Sequence, residues 1–120
     1  MRNKQGSETK SNGGMMNNEN ILLKILVYSD QKVGNITLHE KIVLKAKDLG
    51  LIGATAIKGI SGFIGKDTIR KPKLATLTER LPVSIEIIDT EENINKLLPF
   101  LNDSIQDGLV MLTSISGLKK

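Results

Sequence analysis

The sequence predicts one α+β domain whose elements run strand, helix, strand, strand, helix, strand. Two observations carry this: four apolar runs of strand length, and two intervening segments in which apolar residues recur at helical spacing behind capping residues. Length adds a third, since 120 residues with 39% hydrophobic content supply one modest core.

The first 20 residues, MRNKQGSETKSNGGMMNNEN, carry no apolar side chain but methionine, so burial cannot offset their ordering entropy. We expect a disordered N-terminal tail over 1–20 and a single folded domain over 21–117. Residues 21–28, ILLKILVY, form the first predicted strand, with Ile21, Leu23, Ile25 and Val27 on one face and Leu22, Lys24, Leu26 and Tyr28 on the other. Both faces are largely apolar, which predicts that a second element or subunit covers the far one.

After the polar turn SDQKVGN, Thr37 and Glu40 form a capping box, and Leu38, Ile42, Ala46 and Leu49 mark a helical stripe stopped by Gly50. His39 lies beside this stripe with no partner in view and reads as a packing or solvent-side histidine. GATAIKGI (53–60) and PVSIEIID (82–89) are the next strands and should pair as neighbours. Between them runs a connection over 59–81, far longer than the two to five or so residues of an ordinary hairpin, and such loops commonly carry function.

Thr90, Glu91 and Glu92 open a second helix with the face Ile94, Leu97, Leu98, Leu101 and Ile105, in which Pro99 predicts a kink. Gly108 stops it, and LVMLTSI (109–115) is the last strand. Right-handed crossovers then give a ferredoxin-like βαββαβ arrangement: a four-stranded antiparallel sheet, two helices on one face and a long loop between strands two and three.

Composition excludes several functions. Without cysteine there is no disulfide, thiolate nucleophile or thiolate metal site, and a single histidine cannot build an imidazole cage, so no metal is expected. The longest apolar run contains Lys24 and is too short for a membrane span or a secretory h-region, so a cytoplasmic protein is expected. The net charge of +4 is unevenly spread: over 58–73, Lys58, Lys66, Arg70, Lys71 and Lys73 face Asp67 alone, whereas 89–107 is acidic. Such a segment suits an anionic partner.

That segment, IKGISGFIGKDTIRKPK (57–73), spaces Gly59, Gly62 and Gly65 by three. It is not a P-loop, because Gly59 and Gly65 enclose five residues and Asp67 follows Lys66 where a magnesium-binding hydroxyl belongs. GFIGKDTIRK has the G-x-x-G turn of a KH nucleic-acid module, yet Pro72 interrupts the helix that should follow, and three aromatic residues in the chain offer little stacking. An acylphosphatase-like enzyme would need an arginine after the first strand, and SDQKVGN has none; no nucleophile–base pair stands elsewhere, so no catalytic residue is expected. Glycines that permit close approach, beside cations, fit instead a loop that orders on an anionic ligand or a partner.

The stretches LKILVYSDQKVGNITLHEKIV, LGLIGATAIKGISGFIG, LPVSIEIIDTEENINKLLPFLNDSI and DGLVMLTSI resemble the domain of unknown function 190 family, within the PII-like superfamily, over nearly all of 21–115. The resemblance implies a homotrimer with inward-facing sheets, which would cover the second face of the first strand and give Lys24 and Glu86 an interfacial setting. It also implies a signalling role, because nitrogen-regulatory PII proteins bind adenine nucleotides between subunits and report through the loop between strands two and three. Gly62 and Phe63 stand where those proteins have a Gly-Phe pair, and Lys66 stands near a loop glutamine that reaches phosphate. Two departures are evident: SIQDG replaces a second glycine-rich basic loop, leaving Asp107-Gly108 as its likeness, and the 59–81 loop contains no tyrosine to modify.

The expectation is a non-enzymatic regulatory trimer. Its anionic effector, for which ATP, ADP or another adenine nucleotide is the candidate, would meet Gly59, Gly62, Phe63, Gly65, Lys66, Arg70, Lys71, Lys73 and Gly108. Its target would be a membrane channel, a transporter or an enzyme, and nucleic acid is not the expected partner. A KH-like module and a purely structural trimer are the alternatives.

Overall fold

The run from Leu23 to Val27 is apolar at every second residue and becomes the centre of the sheet, flanked on both sides. The computed structural model describes residues 16–69 and 80–118. Its elements are β1 (Met16–Tyr28), β2 (Lys32–Val33), β3 (Ile36–Thr37), α1 (Leu38–Asp48), β4 (Gly53–Lys58), β5 (Pro82–Thr90), α2 (Glu91–Ser104) and β6 (Leu109–Leu118). The main sheet has the order β4-β5-β1-β6, antiparallel throughout, and β2 pairs β3 in a small hairpin that begins in the expected turn and ends at the cap of α1. This is the predicted ferredoxin-like arrangement.

Several boundaries differ from expectation: β5 runs to Thr90 rather than 89 and β6 to Leu118 rather than 115, and two differences bear on the site. β1 begins at Met16 rather than at residue 21, because Met16 and Asn17 pair with Leu118 and Gly117, with a register shift before Asn20 meets Ile115. Backbone pairing thus extends the strand into the expected tail, where no apolar alternation could signal it; residues 1–15 lie outside those described. β4 ends at Lys58, and the N–H of Gly59 donates to the Pro82 carbonyl at 2.8 Å as the chain leaves the sheet.

Leu23, Ile25 and Val27 of β1 and Val83, Ile85 and Ile87 of β5 share one face, where they pack against Leu38, Ile42 and Ala46 of α1 and Ile94, Leu97 and Leu101 of α2. Truncating one of these leucines to alanine would cost about 2–5 kcal/mol. Thr37 caps α1 by accepting from the Glu40 N–H, and Thr90 caps α2 by accepting from the Asn93 N–H. α1 ends in a Schellman turn: the Gly50 N–H donates to Lys47 O at 3.0 Å and the Leu51 N–H to Ala46 O at 3.1 Å, with Gly50 left-handed at φ 78°. α2 runs as one helix through Pro99, whose ring is exposed. His39 is half-buried, and that desolvation holds its imidazole below the ordinary 6.5, with Lys58 acting in the same direction and Glu40 against it.

The turn after α1 delivers Ile52 to a buried carboxylate. Asp89, 1% exposed at the end of β5, accepts from the Ile52 N–H (2.8 Å), the Thr90 N–H (2.6 Å) and Asn93 Nδ2 (2.9 Å). Burial alone would raise its pKa, but these donors outweigh burial and lower it.

Among the described residues, the opposite face of the sheet carries no helix. Directly paired residues form rows across it: Ile57–Ser84–Leu26–Leu109, then Thr55–Glu86–Lys24–Met111, then Gly53–Ile88–Leu22–Thr113. Ile57, Ile88, Leu109 and Met111 are exposed there.

Candidate functional site

Tyr28 ends β1 on the same side of the sheet as Leu22, Lys24 and Leu26, yet it is only 2% exposed. Two ends of the 59–81 connection cover it. From the first, the Ile64 N–H donates to the Tyr28 hydroxyl at 2.9 Å, and that hydroxyl in turn bonds the Asp67 side chain. From the second, the Arg80 guanidinium lies over the phenol ring, 4.1 Å from its centroid, and pairs with Asp30. Burial first, and then Asp67, push the Tyr28 pKa above its ordinary 10.0.

Neighbouring contacts lock the strand end in place. Ser29 and Leu81 exchange two bonds: the Ser29 N–H donates to Leu81 O at 2.8 Å and the Leu81 N–H to Ser29 Oγ at 3.0 Å. Gln31 accepts from the Tyr28 N–H at 2.6 Å and donates Nε2 to the Asp107 carbonyl at 3.1 Å, which ties the end of β1 to the turn before β6. In that turn a side chain at Gly108 would come within 2.6 Å of the Leu26 carbonyl oxygen and 3.0 Å of Ile105 Cγ2. Glycine is required there so that the turn can lie against β1.

These pieces enclose a cavity of about 430 Å³ lined by Tyr28, Ile64, Gly65, Lys66, Asp67, Arg80, Gln106, Asp107, Gly108 and Leu109. Its charges, Lys66 and Arg80 with Asp67 and Asp107, are unequal in availability. Asp67 is engaged by Tyr28 and by the Thr68 N–H (2.8 Å), and Arg80 is engaged by Asp30, whereas Lys66 is exposed and makes no ion pair with the described residues. Among the described residues the cavity therefore offers one uncommitted cation, beside a glycine, Gly65, held left-handed at φ 64°. Among the same residues no cluster of three or more His, Cys, Asp or Glu could hold a metal ion, and no helix is long and apolar enough to cross a membrane.

Of the residues expected to meet an effector, Gly65, Lys66 and Gly108 come together at this cavity. Gly59 and Gly62 instead pack on Pro82, where added Cβ atoms would lie 3.1 Å from its carbonyl oxygen and 3.2 Å from its ring. They shape the exit from β4. Phe63 is 57% exposed and does not line the cavity. Arg70, Lys71 and Lys73 lie outside the described residues. Sequence reasoning missed Tyr28, Asp67, Gln106 and Arg80; the available signals were that Tyr28 is the lone tyrosine and ends the central strand, and that Arg80 closely precedes the strand paired with it. The G-x-x-G stretch, Gly62 to Gly65, leaves a strand and meets no helix through Ile69, unlike a KH loop between two helices.

The sheet order, the two helices on one face and the long connection beside Tyr28 define a ferredoxin-like α+β protein. A PII-like signaling protein of Thermus thermophilus superposes with TM-score 0.59 at 16% identity, covering 82% of this chain and 89% of that one. CPII, a nitrogen regulatory PII-like protein of Thiomonas intermedia solved with ADP, AMP and bicarbonate, superposes with TM-score 0.57 at 21% identity, covering 83% and 89%. The chain belongs to the DUF190 family, described as uncharacterized ACR, whose profile matches residues 20–116. Its relatives include UPF0166 proteins of Aquifex aeolicus, 35% identical over 94 residues (78% of this chain, 89% of the relative), and of Methanocaldococcus jannaschii, 37% identical over 93 residues (77% and 85%).

Proposed function

We propose that this chain is a non-enzymatic, PII-like regulatory protein of the cytoplasm. It acts as a homotrimer, binds an anionic effector at the Tyr28 cavity, and signals through the 59–81 loop. The observation that carries this reading is that both ends of the loop line one cavity: Ile64 to Asp67 from the first end and Arg80 from the second. A ligand seated there touches both ends, so it favours loop states in which those contacts are made. By linkage it shifts the loop population by its differential affinity for those states. The surface offered to a target, whether a channel, a transporter or an enzyme, changes accordingly.

Lys66 and the backbone at Gly65 supply the attraction for an anion. An adenine nucleotide is the first effector to test, and the ADP and AMP held by the PII-like protein of Thiomonas intermedia support that choice. In the trimer the helix-free face of the sheet turns inward, where Ile57, Ile88, Leu109 and Met111 leave water. Leu109 belongs both to that face and to the cavity, which supports an effector site next to a neighbouring subunit.

Calorimetric titration with ATP, ADP and AMP, each up to millimolar concentration, tests the effector. Saturable binding to wild type that weakens in Lys66→Ala supports the reading; no heat with any of the three overturns adenine nucleotide as the effector.

A further inference from the structure

At the middle of the helix-free face stand two opposite charges side by side, framed by apolar residues. Lys24 Nζ lies 3.9 Å from Glu86 Oε2, and their side chains are 45% and 37% exposed. The row above them holds Ile57, Leu26 and Leu109 with Ser84, the row below holds Ile88 and Leu22 between Gly53 and Thr113, and Thr55 and Met111 close their own row. Covering such a face with an apolar partner surface would strip water from both ions while leaving them a single long contact. The ammonium would keep unmet protons and the carboxylate unmet lone pairs, a costly outcome. A second copy of the same face resolves this, because it brings one ammonium and one carboxylate of its own.

We propose that Lys24 of one copy pairs with Glu86 of the next when these faces meet, so that the two residues select the partner and set how the copies are rotated against one another. This inference rests on the homo-oligomer reading above and adds to it the residues that determine specificity. The apolar rows supply most of the driving force but tolerate many rotations, whereas a misplaced copy would set Lys24 against Lys24 or Glu86 against Glu86.

Light scattering and sedimentation across a dilution series test it with four preparations: wild type, Lys24→Glu, Glu86→Lys, and the double swap. Circular dichroism and a urea midpoint verify that each chain folds. The expected result is an oligomeric wild type, each single reversal raising the concentration of half-dissociation by about a hundredfold or more, and recovery in the double swap. Mixing the two single variants must raise the mass above that of either alone, because the negative face of one meets the positive face of the other; a pair acting only within one chain would show no such rescue. A monomeric wild type overturns the oligomer reading and this inference together. An oligomeric wild type whose single variants keep their mass, or whose variants dissociate without rescue by swap or mixing, overturns the inference while leaving the oligomer reading intact.

Discussion

The phenolic oxygen of Tyr28 accepts a hydrogen bond from the backbone N–H of Ile64 at 2.9 Å, which ties the first end of the 59–81 loop to the end of the central strand. The same hydroxyl bonds Asp67, so one side chain fixes two loop residues three apart. Tyr28→Phe keeps the ring and its stack under Arg80 but leaves the Ile64 N–H without that acceptor. A buried donor stripped of its partner costs about 1–3 kcal/mol. We expect a correspondingly lower urea midpoint and faster hydrogen exchange at Ile64, with the core amides of β1 and β5 nearly unchanged.

Tyr28 is also an optical probe, since the chain has one tyrosine and no tryptophan. Its pKa in the folded state is raised above 10.0, so the folded chain holds this proton more tightly than the unfolded chain does. The stabilising contribution is complete below pH 10 and is lost as pH rises through the folded value. Absorbance at the phenolate band should therefore appear only above the ordinary range, together with loss of ellipticity, whereas a chain in urea titrates normally. Phenolate formation at or below the ordinary value in the folded protein would refute this.

Asp89 gives the opposite dependence. Its pKa is lowered, because the bonds from Asn93, Thr90 and Ile52 outweigh the burial that would raise it, so its contribution is present above the ordinary value of 3.8 and is lost as pH falls below it. Asp89→Asn keeps the shape but weakens these charge-assisted bonds, each of the order of 1.5–3 kcal/mol. Urea unfolding at neutral pH should show the variant less stable than wild type, and the gap should narrow in acid.

Gly108 and Gly65 separate two meanings of glycine. Gly108→Ala forces a Cβ to within 2.6 Å of a backbone carbonyl of β1 and should lower stability by about 1–3 kcal/mol. Gly65→Ala meets no atom within 4 Å and carries only the strain of a left-handed residue, about 1 kcal/mol, confined to the loop. Thermal melts should rank Gly108→Ala well below Gly65→Ala.

What the sequence made legible was whatever has a local period or cap. The alternation through Ile25 and the Thr37 and Thr90 caps lead directly to the observed sheet and helices. The start of β1 escaped because its first residues are held by pairing with β6, a contact between chain ends that no local pattern encodes. The cavity was legible in part: glycine and lysine composition pointed to Gly65 and Lys66, while Tyr28 and Arg80 enter through the antiparallel pairing that sets Tyr28 opposite Pro82 and so brings Arg80 over its ring. Gly108 was read as a helix stop and an effector contact, and the structure gives it a further reason, the close passage of β1.

On the proposed function, an effector at the Tyr28 cavity joins the two ends of the loop. Hydrogen exchange at the backbone of Ile64, Gly65, Lys66, Asp67 and Leu81, with and without saturating adenine nucleotide, tests it most directly. Slower exchange at both ends on binding is expected, with the helix amides of α1 and α2 unaffected. Binding that leaves both ends unprotected, or that protects residues remote from the cavity instead, would contradict it.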